Sequence, residues 1–97
     1  MIQNMENSLN NFSKEVFITN ELGLHARSAA QIAEIAKNAE SEVRIIRDGD
    51  SVDAKSIIDM LTLACAKGSR ITIRIDSQSD LGVLNQIVAL VECGFGE

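Results

Sequence analysis

Residues 70–76, RITIRID, alternate without a break: Ile71, Ile73 and Ile75 fall on one side, and Arg70, Thr72, Arg74 and Asp76 on the other. Successive side chains of a strand point to opposite faces, so this segment predicts a strand with one buried and one wet face. A sheet made of such strands needs a covering layer on one side only. The rest of the chain supplies it. In ARSAAQIAEIAKNAE, residues 26–40, strong helix formers place Ala29, Ile32, Ala33 and Ala36 on one stripe. A last helix, expected from about Ser79 to Cys93, carries Leu84, Ile87, Val88 and Val91, with Ser79 or Asp80 near its cap and Gly94 just past its end. Between them KSIIDMLTLAC, residues 55–65, predicts a short helix. Ser56 can cap it, Asp59 follows in a capping-box-like position, and Lys67-Gly68 closes it.

The remaining strands come from EVFIT, residues 15–19, and from SEVRIIRDGDSVD, residues 41–53. In the second, Asp48-Gly49 supplies the positive φ angles of a type I′ turn, so its two strands should be antiparallel neighbours. The order is βαββαβα. It predicts an α+β fold, an open-faced two-layer β-sandwich with a four-stranded antiparallel sheet and three helices on one face. Ninety-seven residues make one domain, and with only three aromatic residues, all Phe, its core must be Ile, Leu, Val and Ala. Residues 1–13 lack periodicity and are rich in Asn, which predicts a mobile N-terminal extension before a domain spanning 14–97.

Fourteen acidic side chains against nine basic ones give a net charge of −5, against the basic field that a general nucleic-acid or anionic-membrane binder needs. Cys65 and Cys93 lie far apart with no CxxC and no His-rich neighbour, so free thiols are expected and neither a zinc site nor a redox pair. No leader and no apolar run of membrane-spanning length is evident, and the cytoplasm is the expected location.

The single histidine, His25, stands in GLHARS just before the first helix, where backbone N–H groups are unpaired and the dipole is positive. That place suits an anion. Arg27 in the first turn could pair with a phosphate, and Gly23 would let the backbone approach it closely. On the residues alone, an exposed cap or surface side chain is the commoner role for such a histidine. Ser56 is a second anion-friendly position, for which capping is again the commoner role. There is no catalytic triad, P-loop or G-x-G-x-x-G, which argues against an autonomous catalyst. Asp48, Asp50, Asp53, Asp76 and Asp80 lack EF-hand spacing and are expected on the solvated surface.

GLHAR followed by SAAQ, then AKSI, then the KG-x-x-I-x-I strand resemble HPr, the histidine-containing phosphocarrier family of the bacterial sugar phosphotransferase system, over residues 14–93. The resemblance implies that His25 takes a phosphoryl group from enzyme I and passes it to sugar-specific IIA proteins, with Arg27 screening the charge and Gly23, Leu24 and Ser28 around it. It implies a regulatory role for Ser56, phosphorylated in some bacteria by an HPr kinase, and an apolar docking patch of Ile57, Ile58 and Leu61. It implies a monomer with no cofactor. Two departures stand out. Ser28 replaces the usual proline, adding an N–H and a hydroxyl that could reach the phosphate. Glu34 and Asp59 are acidic where lysine or a small residue is common, which implies a more basic partner. A regulatory binding module, controlled through Ser56 and with weak or lost transfer at His25, is the alternative.

Overall fold

The computed structural model describes residues 12–97, so residues 1–11 of the expected extension lie outside the described residues. Strand β1, Ser13–Phe17, is followed by helix α1, Ala26–Ala36, and by the hairpin of β2, Val43–Arg47, and β3, Asp50–Asp53. Helix α2, Ile57–Leu61, leads to β4, Arg70–Ile75, and a 3-10 turn over Gln78–Asp80 opens α3, Leu81–Glu92. A final 3-10 turn covers Gly94–Gly96. The sheet is antiparallel throughout in the order β1-β4-β2-β3. This is the expected α+β architecture, and the order βαββαβα is the one the periodicities predict.

The alternation in β4 sets the inside. Ile73 lies between Lys14 of β1 and Ile45 of β2, and Ile75 stands opposite Val43. Ile71, Ile73, Ile75, Val43, Ile45 and Val16 are buried against Ala29, Ile32 and Ala36 of α1 and Leu84, Ile87 and Val91 of α3. Burying one such aliphatic side chain is worth about 2 kcal/mol, so this stripe-on-strand contact is what holds the two layers together. The hairpin turn is as expected, with Asp48 at φ 51° and Gly49 at φ 88°.

Three boundaries differ, each for a local reason. Strand β1 begins at Ser13 and ends at Phe17, although Ile18 still exchanges backbone bonds with Ser69 and Gly68. Helix α2 is shorter than expected because the Thr62 hydroxyl donates to the Asp59 carbonyl and Ala64 turns left-handed at φ 51°. Helix α1 stops at Ala36, where tighter bonds from Asn38 to Ile35 and from Ala39 to Ala36 end it.

Asp80 explains the chain's exit from α1, and its expected place on the solvated surface is corrected. Only 2% exposed, its carboxylate accepts the N–H of Glu40 at 2.9 Å and of Ser41 at 3.0 Å. After the tight turn over residues 37–39, the next two donors are thus drawn to the start of α3. Nor does the Asp80 side chain cap α3, since Ser77 caps the preceding 3-10 turn through the Ser79 N–H. Replacing Asp80 by Ala strands two donors and should cost about 3 kcal/mol, a fall in Tm on the order of 15 °C. Chemical denaturation of Asp80→Ala checks this; a loss no larger than for an exposed residue such as Asp50 would refute the clamp.

Candidate functional site

The loop between β1 and α1 is shaped by Asn20 and Gly23. Asn20 is buried, and its amide donates to the Gly23 carbonyl at 2.8 Å while the Gly23 N–H returns a bond to the Asn20 carbonyl at 3.1 Å. Gly23 takes φ 69°, a left-handed conformation in which a side chain is strained. It also lies against the Cys65–Ala66 backbone, and the next residue, Leu24, donates to the Cys65 carbonyl at 2.8 Å. Gly23 and Leu24 form the floor of the loop, and Leu24 is itself buried. Cys65 and Cys93 are free thiols, and burial pushes the Cys65 thiol above its ordinary pKa.

That floor delivers His25 to the N-cap of α1, with extended backbone at φ −116° and its carbonyl bonded to the Ala29 N–H. Nδ1 of the ring accepts the Arg27 N–H at 3.3 Å, and Nε2 is 2.7 Å from the Glu97 carboxylate. These partners fix the tautomer: Nε2 carries the proton and donates it to Glu97, and Nδ1 presents a lone pair at the helix start. Glu97 is fixed in turn by a second bond from the Asn20 amide at 3.1 Å. The Arg27 side chain is exposed and makes no ion pair among the described residues, so its guanidinium is open to an arriving anion.

Ser28 is buried. Its hydroxyl accepts the His25 N–H at 2.9 Å and reaches the carbonyls of Gly23 and His25, each at 3.1 Å. The hydroxyl therefore closes a reciprocal cap with His25, and the contact with phosphate expected of it is not available while those bonds hold. Ser56 lies elsewhere, at the N-cap of α2, accepting the Asp59 N–H at 3.2 Å. From α2 the side chains of Ile57, Ile58 and Leu61 project into solvent, Ile58 being 76% exposed.

Glu97, Asn20 and Leu22 are additions that sequence reasoning missed. Leu22 is 71% exposed in the His25 loop and adds to the apolar surface. Glu97 is 72 positions from the ring it touches, and no local pattern announces such a pair. A cavity of about 390 Å³ lies on the Glu97 side of the site, with Asn20, Glu21, Glu92, Cys93 and Glu97 in its walls. Three carboxylates repel a phosphate there, which leaves the Arg27 and helix-dipole side as the approach for an anion.

The bonds from His25 and Asn20, with the Arg27 charge nearby, hold the Glu97 carboxyl below its ordinary value of 4.5, against the opposing effect of burial. A carboxylate lowered in the folded chain stabilises it above the ordinary value and loses that contribution as pH falls through the lowered one. Unfolding followed from neutral to acid pH should show a loss below pH 4.5 that Glu97→Gln lacks. Superimposable profiles would mean that the pair does not form in solution.

The sequence matches the family model PTS-HPr, described as the PTS HPr component phosphorylation site, over residues 12–93. It is 38% identical over 84 residues to the phosphocarrier protein HPr of Cupriavidus necator, covering 87% of this chain and 94% of that protein. It is 37% identical over 83 residues to the phosphocarrier protein NPr of Klebsiella oxytoca, covering 84% and 92%. Among solved structures, HPr-C-His from Thermoanaerobacter tengcongensis superposes with a TM-score of 0.82 at 29% identity, covering 88% of this chain and 96% of that one.

Proposed function

Because this chain belongs to the HPr family of phosphocarriers, we propose that His25 accepts a phosphoryl group from phospho-enzyme I and passes it to sugar-specific IIA proteins. A member of this family is a stoichiometric phosphocarrier of the phosphotransferase system and not an autonomous catalyst. The observation that carries the assignment to His25 is the ring's orientation, with a lone pair on Nδ1 at a helix N-terminus and the Nε2 proton held by Glu97.

In the transfer, the Nδ1 lone pair forms a bond to phosphorus as the bond between phosphorus and the donor's histidine nitrogen breaks, its electron pair staying on the donor ring. Positive charge that develops on the His25 ring is offset by the Glu97 carboxylate through the Nε2 proton. Negative charge on the phosphoryl oxygens meets Arg27, the helix dipole and open backbone donors. Onward transfer is the reverse, with the acceptor's nucleophile attacking phosphorus and the electron pair returning to Nδ1. Ile57, Ile58, Leu61 and Leu22 would dock partners transiently, an exposed apolar surface suiting short-lived complexes.

Ser56 is the proposed regulatory site. A phosphate from an HPr kinase would add roughly −1.5 to −2 charges beside the apolar side chains of α2 and oppose docking there. No helix among the described residues is long and apolar enough to cross a membrane. The proposed setting is a cytoplasmic monomer.

Intact-mass spectrometry at neutral or basic pH, after incubation with enzyme I, magnesium and phosphoenolpyruvate, tests the assignment. One phosphate adduct that is lost in acid supports transfer at a ring nitrogen. An acid-stable adduct mapping to Ser56, or no adduct while a known carrier is labelled in parallel, would favour the regulatory module instead.

A further inference from the structure

We infer that the backbone N–H of Ser28 is a second donor to the reacting nitrogen of His25, and that it prolongs the life of the phosphorylated ring. The inference rests on the phosphocarrier role proposed above and goes one residue further into the site. His25 caps α1 with its own ring, and that ring faces the N–H of Ser28 as well as accepting the Arg27 N–H at 3.3 Å. The Ser28 side chain points the other way. Its hydroxyl is buried between the His25 N–H, at 2.9 Å, and the Gly23 carbonyl, at 3.1 Å, so of this residue only the backbone N–H faces the ring nitrogen. With Glu97 on Nε2, the tautomer is set from both ends. Proline in place of Ser28 would remove this donor and leave Arg27 alone with the ring nitrogen.

The chemical consequence has two parts. Before transfer, the Nδ1 lone pair must give up two N–H partners to reach phosphorus, which slows its attack. After transfer, both N–H groups can turn to the phosphoryl oxygens, where bonds to a charged acceptor are roughly twice as strong. The phosphate is therefore harder to load and slower to leave than with one donor.

Phosphoramidate gives a test that needs no protein partner. The Nδ1 lone pair forms the bond to phosphorus, the nitrogen–phosphorus bond of phosphoramidate breaks, and ammonia leaves with the electron pair. Label lifetime at neutral pH is followed by phosphorus NMR for the unaltered chain, Ser28→Ala and Ser28→Pro. Alanine keeps the N–H and should preserve the lifetime, whereas proline should shorten it about tenfold. Nitrogen NMR of the unphosphorylated ring should show Ser28→Pro, but not Ser28→Ala, gaining the tautomer protonated at Nδ1. In the unaltered chain, the Ser28 amide proton should move downfield on phosphorylation together with that of Arg27, a measurement that does not depend on how well either variant folds.

Equal lifetimes and ring spectra for proline and the unaltered chain would overturn the inference. So would an alanine variant as short-lived as proline, or a Ser28 amide that does not respond. A chain labelled by phosphoramidate but not by enzyme I would defeat the carrier role while leaving the donor role standing on the spectra.

Discussion

His25→Ala is expected to remain folded and to take no phosphate from enzyme I. His25 is the only histidine in the chain, so no other imidazole can accept the group. Its ring also caps α1, and loss of a cap costs about 1 kcal/mol, which a folded domain of this size can absorb. His25→Asn separates the two roles, because an asparagine oxygen can accept the same backbone N–H but cannot carry a phosphoryl group. Both variants should be unlabelled, with the Tm of the asparagine variant nearer to that of the parent. A residual acid-labile adduct in either would mean that phosphorylation occurs at another nitrogen and would remove His25 from the mechanism.

Gly23→Ala is expected to destabilise the fold strongly. An added Cβ would fall 2.4 Å from the Cys65 carbonyl oxygen and 2.9 Å from the Ala66 Cα. Neither atom can retreat freely, since the same carbonyl accepts the Leu24 N–H at 2.8 Å. A clash with backbone and a left-handed φ together should cost roughly 2–4 kcal/mol. Gly82 provides the contrast: within α3, with nothing within 4 Å of its Cβ position, its change to Ala should stabilise the fold by about 0.5–1 kcal/mol. Urea denaturation of both variants checks the pair, and equal small effects would show that the loop floor yields.

The legible features of the fold were those carried by local periodicity. The alternation of Ile71, Ile73 and Ile75, the stripes on α1 and α3, and Asp48-Gly49 in the hairpin each report a neighbourhood of a few residues, and together they define the layers. The end of α1 was not legible, because Lys37, Asn38, Ala39 and Glu40 contain nothing that forbids a helix. The competing partner, Asp80, lies about forty positions away. At the site, GLHAR directs attention to His25 and Arg27, but which way a serine hydroxyl points depends on rotamer and neighbours, and Ser28 turned into the cap. Glu97 and Asn20 became visible only when β1 and the segment after α3 were brought side by side.

The bond between His25 and Glu97 also bears on when competence arises during folding. Contacts of high sequence separation require a large loop to close first, and they tend to form slowly. Helix α1 can begin to coil on its own, but its capping ring gains a carboxylate partner only after the far segment has docked. A partly folded chain thus carries a histidine whose tautomer is unassigned. Phosphoryl uptake during refolding should accordingly lag behind the return of helical signal, which would make the transfer reaction a reporter of the completed topology.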